Sequence, residues 1–441
     1  FVMVSFAVLP DGYTREGLLF RNLLRRMEQS GVVDAAGLNC VSAPGAMKKL
    51  VQSLGETLLP LSVMPNAGYP VVTRARVLYQ GKPAYFAREM GQIAAAGVRI
   101  LGGCCGTTPA HIAALRAELD ALPQQTEAAP AAKLSTGTAP AVEKDDAFLR
   151  KLNAGEKVIA IELDSPRVAD LSGYLDGARR LQAAGADLLT IADCPIAQAR
   201  MDSSLVACRV HRELGMCALP HMTCRDRNLN ATKALLLGLY AEGVREVLAI
   251  TGDPIPTAER DEVKNVYQFN SRKLAQYIVS LAGEGREMPS AMTVLGALNL
   301  NARNFDVELR RAVEKLENGM SGFLTQPVLS AQAVENLRKA RQTLGERAKI
   351  LAGIMPVVSQ RNAIFMENEI NGIHVEEDII QRFAGLDREQ GEALGLEVSM
   401  QMAREALPYA DGFYLMTPFN RVALMERLIA RLKTELLDAE G

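Results

Sequence analysis

The sequence predicts an α/β protein of two domains, the larger a complete (β/α)8 barrel of the TIM-barrel type. Three observations predict it. Eight short apolar runs alternate with amphipathic stretches between residues 158 and 416. Four similar runs occupy the first 122 residues. Between the two sets, Pro123 to Glu143 has a different composition altogether. A chain of 441 residues also exceeds what one typical core accommodates.

The N-terminal runs are VMVSFAV, DAAGLNCV, LPLSVMPNAG and VRILGGCC, with the helical patterns EGLLFRNLLRRMEQSG and KPAYFAREMGQIAAAG beside them. Four such units make half a barrel; a small doubly wound domain is the alternative. The next segment, PQQTEAAPAAKLSTGTAPAVE, is nearly free of large apolar residues. It buries too little surface to offset its ordering entropy, which predicts a flexible linker over 123–144. The C-terminal runs are VIAIEL, DLLTIAD, CALPHMTC, EVLAITG, TVLGALN, GFLTQPV, KILAGIMPV and GFYLM. Continuous apolar runs alternating with helices such as LSGYLDGARRLQAAG imply a parallel sheet buried on both faces. Eight of them close a barrel.

Composition bounds the partners. Hydrophobic residues make up 48% and charged residues 23%, the balance of a soluble, folded protein. The net charge is −2 with no block of like charges, which argues against nucleic acid or an anionic membrane surface. No apolar run reaches the roughly 18 residues of a membrane span. The start, FVMVSFAVLP, lacks a basic leader, so it is not read as a signal peptide. The chain opens without Met, inside what reads as a buried strand, which predicts that residues upstream complete the first domain. Seven cysteines, an odd count in a large chain, favour reduced thiols and a cytoplasmic setting.

In such barrels chemistry sits where strands end. The polar residues there are Glu162, Thr190 with Asp193, His221 with Thr223, Asp253, Asn299, Gln326 and Tyr414. Three of them have a plainer reading: Glu162 as a helix cap, Asp253 in a Gly-Asp turn, His221 as a structural histidine. In the first domain Cys40 ends the run GLNC, and Cys104 with Cys105 ends GGCC. Neighbouring strand ends converge, so three thiols meet at one face. Three thiolates around Zn2+ leave the open fourth position that a catalytic zinc needs. The alternative is three buried cysteines without function. Asn39 and Asn66 sit at strand ends nearby.

Over residues 147–436 the order of IEL at Glu162, HMTC at 221–224, TGD at 251–253, Lys315 eleven residues before Gln326, GIMPV at 353–357 and GFY at 412–414 resembles methylenetetrahydrofolate reductase. That resemblance implies FAD as cofactor, NAD(P)H as electron donor, 5,10-methylenetetrahydrofolate as substrate and 5-methyltetrahydrofolate as product. The family binds FAD on the barrel without a Gly-rich dinucleotide fingerprint, and this chain has no G-x-G-x-x-G opening a helix after a strand. It further implies Glu162 as general acid, Asp253 beside the flavin, Gln326 on the pterin, Lys315 on the cofactor diphosphate, and Thr190 and His221 against the flavin. The chain departs from the family at Leu163-Asp164-Ser165-Pro166, at Thr251 and in the loop NLNARNF, all near the cofactor pocket.

The motifs GLNC, MPNAG and GGCCGT resemble the homocysteine S-methyltransferase domain of methionine synthases and betaine–homocysteine methyltransferases. This implies zinc on Cys40, Cys104 and Cys105, homocysteine as substrate, and Asn39 and Asn66 as substrate contacts. The family's early strands have no counterpart, so the N-terminal domain reads as the second half of another (β/α)8 barrel. The domain order resembles a bacterial fusion of the two activities. The expectation is a bifunctional one-carbon enzyme: a partial methyltransferase domain over 1–122, a linker, and a reductase domain over 145–441. It acts on small molecules and is compatible with a homo-oligomer. The alternatives are another flavin-dependent barrel oxidoreductase, or a cofactor-binding scaffold with structural zinc.

Overall fold

A computed structural model describes all residues except 11, 15–17, 55–56, 69, 73–76, 80, 123–146, 256–263, 284–285, 371 and 438–441. The linker expected over 123–144 therefore lies outside the described residues. The chain divides into two compact units, Phe1–Thr138 and Ala139–Gly441.

The first unit holds a four-stranded parallel sheet, β1 (Met3–Ala7), β2 (Ala35–Asn39), β3 (Leu61–Met64) and, beyond a hairpin, β6 (Ile100–Leu101). The hairpin pairs β4 (Pro70–Val72) with β5 (Val77–Tyr79) and was not read from the sequence. The sheet order β1-β2-β3-β6 never reverses. A doubly wound sheet changes direction at its switch point, whereas a stretch of barrel wall does not. The helices after β2, β5 and β6 each begin with proline, which is pre-organised for a first helical turn. Together with the helix Phe20–Ser30 they cover one core of Val8, Phe20, Leu38, Met47, Val63, Phe86 and Met90.

In the second unit each of the eight apolar runs is one strand. They are β7 (Val158–Glu162), β8 (Leu188–Ile191), β9 (Cys217–Thr223), β10 (Glu246–Ile250), β11 (Thr293–Leu298), β12 (Gly322–Pro327), β13 (Lys349–Ile354) and β14 (Gly412–Met416). All pairs are parallel, and β14 pairs with β7 to close the barrel. The interior follows from the two-residue period of a strand. One leucine from each of β8–β13 points inward: Leu188, Leu219, Leu248, Leu295, Leu324 and Leu351. Val158 and Ala160 of β7, with Tyr414 and Met416 of β14, complete the cluster. Burying each leucine contributes about 1.5–3 kcal/mol. Phe148 and Leu152, from the helix Ala147–Asn153 that leads into β7, pack into the same cluster and are almost wholly buried. Among the described residues no helix is long and apolar enough to cross a membrane.

Candidate active site and metal centre

A cavity of about 830 Å³ opens at the carboxyl ends of the barrel strands. Glu162, His221, Asp253, Gln326 and Tyr414 line it, over a floor that includes Leu248, Ile250, Leu324 and Met416. The size lies within the range of cofactor pockets.

Glu162 ends β7, beside Thr190 on β8 and Met416 on β14. The Tyr414 hydroxyl donates to Oε2 of its carboxylate. His221 Nε2 stands 3.6 Å from the same oxygen and has no hydrogen-bond partner among the described residues. Burial, then the charge of Asp164, pushes the Glu162 carboxyl up to about 7 against the opposing Tyr414 bond and Arg200. Burial also pushes His221 down to about 4, opposed by Asp193. Desolvation disfavours both charges, so near pH 6 the site holds a protonated carboxyl beside a neutral imidazole. Thr190, beside Glu162 across the β7–β8 pair, is fully buried and does not line the cavity.

Asp253 follows β10. Its carboxylate accepts the backbone N–H of Ile196 at 2.8 Å, and its carbonyl accepts from Arg225 Nη1 at 3.2 Å and the Tyr267 hydroxyl at 3.3 Å. Gly252 has φ +90°, and a Cβ there would lie 2.9 Å from the Thr223 Cβ, so only glycine brings this loop against β9. Arg225 is only 2% exposed; it also binds Asp226 and the Cys194 carbonyl, and so ties the loops after β8 and β10 together. Asp193 accepts from Thr223 N, Thr223 Oγ1 and Arg227 Nη1 at 3.0, 2.9 and 2.8 Å. Burial acts to raise its carboxyl, yet Arg227 and Thr223 hold it below the usual range.

The register between β12 and β13 shifts between Leu324 and Pro327. Thr325 spans the irregularity, accepting from Gly353 N and donating to the Gln326 carbonyl, each at 2.8 Å. Such a bulge re-aims a side chain, and Gln326 lines the cavity. Lys315 is brought elsewhere. Its ammonium, 13% exposed, donates to the Ala297 carbonyl at 2.6 Å with Glu308 at 3.7 Å, and it is not a lining residue. Burial lowers its pKa.

Sequence reasoning left Tyr414, Asp193, Arg225 and Arg227 without roles. Tyr414 and Asp193 carried a signal as polar strand-end residues. The two arginines follow β9 directly in CRDR, where a polar cluster reads as an ordinary loop.

In the first unit Cys40 Sγ lies 3.6 Å from Cys105 Sγ, and Cys104 Sγ lies 4.0 Å from Cys105 Sγ. All three sulfurs fall within 4.8 Å of one another. A tetrahedral zinc with bonds of about 2.3 Å separates its sulfurs by about 3.8 Å, close to the two shorter spacings here, so the donor set fits zinc. Cys40 and Val41 have φ of 55° and 61°, a left-handed turn that costs each about 1–3 kcal/mol. Gly106, at φ +77°, admits Tyr79, whose Cβ would lie 2.2 Å from an added Cβ. Asn66 is buried and accepts from Cys105 N at 3.2 Å, whereas Asn39 is half-buried at the end of β2. Burial acts to raise the Cys40 thiol, but Val41 N–H and the neighbouring thiols bring it down; burial and Cys40 push Cys104 up to about 11.

Residues 147–433 match the family of methylenetetrahydrofolate reductase, and residues 1–119 match homocysteine S-methyltransferase. A methionine synthase of Mycobacterium tuberculosis is 45% identical over 82 residues, 18% of this chain and 7% of that protein. Homocysteine S-methyltransferase of Escherichia coli is 36% identical over 115 residues, 26% of this chain and 37% of that protein. The 5,10-methylenetetrahydrofolate reductase of Escherichia coli is 22% identical over 192 residues, 43% of this chain and 61% of that protein. The chain thus spans less than two thirds of each of these relatives. The reductase match extends over well more than half of the chain and takes in all eight barrel strands, and on that ground the chain belongs to the methylenetetrahydrofolate reductase family.

Proposed function

We propose that the barrel reduces 5,10-methylenetetrahydrofolate to 5-methyltetrahydrofolate, with NAD(P)H as electron donor and FAD as resident cofactor. The observation that carries this reading is the placement of the Glu162 carboxyl, which lines the cavity between the Tyr414 hydroxyl and His221 Nε2 and is pushed up to about 7 by burial. The folate's five-membered ring opens to an iminium cation only when a ring nitrogen is protonated, and Glu162 supplies that proton. Asp253 sets a negative charge at the same cavity, which favours the cation. Gln326 both donates and accepts, matching a pterin edge. Neutral His221 and Asp253 bear on the flavin directly, whereas Thr190, buried off the cavity, does so only through its neighbours; Lys315 reaches its diphosphate only by leaving the Ala297 carbonyl. FAD, when bound, supplies the electron pair.

The first unit, over 1–122, reads as part of a zinc-dependent homocysteine S-methyltransferase domain, followed by a linker over 123–144 and the reductase domain over 145–441. Cys40, Cys104 and Cys105 hold the metal, Asn66 supports Cys105, and Asn39 faces substrate. Zinc, when bound, lowers the pKa of a coordinating substrate thiol. Both domains act on small molecules in a cytoplasmic setting.

The test is an absorption spectrum of the purified protein with its metal content. Bound flavin should bleach with NADH or NADPH and recover with methylenetetrahydrofolate. A protein that takes up no FAD, or whose reduced flavin ignores methylenetetrahydrofolate, overturns the reductase reading. Zinc that does not respond to homocysteine overturns the methyltransferase reading.

A further inference from the structure

We infer that Tyr414 is a positioning residue for the acid, fixing which oxygen of Glu162 carries the proton and stabilising the carboxylate left after the proton is delivered. This rests on the reading of Glu162 as proton donor.

The placement comes from the closing seam of the barrel. Tyr414 lies beside Ala160 in the β14–β7 register, one inward-facing position below the Met416–Glu162 pair. Ala160 leaves room for the ring, and the hydroxyl reaches up to Oε2 of Glu162. His221 Nε2 faces the same oxygen at 3.6 Å. In a neutral carboxyl, the oxygen that accepts a hydrogen bond is the carbonyl oxygen, so the proton resides on Oε1. Oε2 is held within the wall, and Oε1–H is the group free to act.

The chemistry of the donor suits this role. Tyr414 is buried, and burial together with the neighbouring Glu162 charge holds its phenol far above the ordinary range. It stays protonated and does not compete for the proton. When Glu162 gives up its proton, the Tyr414 bond becomes charge-assisted and strengthens. The other groups bearing on this carboxyl are Asp164, paired with Arg200 at 3.0 Å, and Tyr174 from the helix Ser172–Ala184. None of them donates a hydrogen bond to the carboxyl, so Tyr414 is its one hydrogen-bond donor among the described residues.

The experiment compares Tyr414→Phe, Glu162→Gln and the double variant in the full chain, with flavin content as the check on folding. Two readouts are needed. The first is the pH dependence of flavin reoxidation by methylenetetrahydrofolate. Tyr414→Phe should lower its low-pH plateau roughly 10–100-fold and move its falling limb up by about one pH unit, while reduction by the nicotinamide is unchanged. In the Glu162→Gln background the same change should add nothing. The second readout needs no substrate: the infrared carboxyl band that Glu162→Gln removes should titrate about one unit higher in Tyr414→Phe. An unshifted band, or an effect that adds fully to Glu162→Gln, overturns the role of Tyr414. A shifted band in a protein that does not act on methylenetetrahydrofolate overturns the folate reading alone. If Tyr414→Phe loses flavin, Tyr414→His supplies a shorter donor, and its failure to bring back any part of the wild-type titration counts against the role.

Discussion

The backbone N–H of Ile196 donates to the Asp253 carboxylate at 2.8 Å, joining the loop after β8 to the loop after β10. Cys194, Ile196 and Ala197 all have positive φ without being glycine, so this loop is strained and needs an external tie. Asp253 thus has two jobs, a charge at the cavity and an anchor for its rim.

Those jobs separate by substitution. Asp253→Asn keeps an oxygen acceptor for Ile196 and removes the charge; it should slow the folate half-reaction about 10–100-fold and leave flavin affinity near wild type. Asp253→Ala removes both and should weaken flavin binding as well. Stopped-flow rates and a flavin titration of the two variants check this. Equal flavin affinity in both would show that the tie is unimportant.

The raised Glu162 pKa predicts two pH effects. With Glu162 as the proposed acid, the rate of the folate half-reaction should hold below about pH 7 and fall above it. For stability, the unfolded carboxyl ionises near the ordinary value of 4.5 but the folded one only near 7. The folded state therefore binds the extra proton between these values, and stability is lost as pH rises from 4.5 to 7. Glu162→Gln should then stabilise the barrel by roughly 1–3 kcal/mol at pH 8 and by nothing at pH 4. Urea melts at the two pH values test the sign.

His221 acts in the opposite direction. Its folded pKa is about 4, against 6.5 unfolded, so the unfolded state takes up the proton first as pH falls. Stability is lost from about pH 6.5 down to 4. His221→Asn should flatten that acid limb; a limb as steep as wild type assigns it to other groups.

Arg225 is a structural prediction. Its guanidinium satisfies the Asp253 and Cys194 carbonyls and pairs with Asp226 while almost wholly buried. Arg225→Met fills a similar volume but leaves the Cys194 carbonyl unpaired and the Asp253 carbonyl with the Tyr267 hydroxyl alone. A loss of about 2–4 kcal/mol follows, with the rim loops loosened. Denaturant melts read the loss, and faster proteolysis between 194 and 200 reads the loosening.

Single Cys40→Ser, Cys104→Ser and Cys105→Ser variants should each lose most bound zinc, because two thiolates do not complete the site. Asn66→Ala should retain zinc with an affinity lower by about 10-fold, since it removes only the acceptor that orients Cys105 N–H. Metal analysis after dialysis against a chelator decides it.

The barrel was legible because each strand is buried on both faces and so reads as an unbroken apolar run. The hairpin β4–β5 was not, because three-residue strands set among arginines carry no periodicity. The residues Glu162, His221, Asp253 and Gln326 stood out as polar groups at apolar strand ends, and the fold brings all four to one cavity. Gln326 gets there through a register shift that no local pattern announces. Lys315 shows the limit of spacing arguments: eleven residues before Gln326 places it on the right helix but does not say that its ammonium turns to a backbone carbonyl. Arg225 and Arg227 were unreadable for a related reason, since their partners lie on loops far away in the chain.

The contact between Tyr414 and Glu162 joins residues 252 positions apart. Every other strand pair in the barrel links neighbours in the chain, so the β14–β7 pairing closes by far the longest loop and carries the largest closure entropy. The ordered Glu162 carboxyl is therefore not a property of β7 alone. A nascent chain that has built seven of the eight strands already displays Glu162, His221, Asp253 and Gln326, yet lacks the hydroxyl that orders the carboxyl. The pairing with the greatest closure cost is therefore also the one that brings the Tyr414 hydroxyl to Glu162.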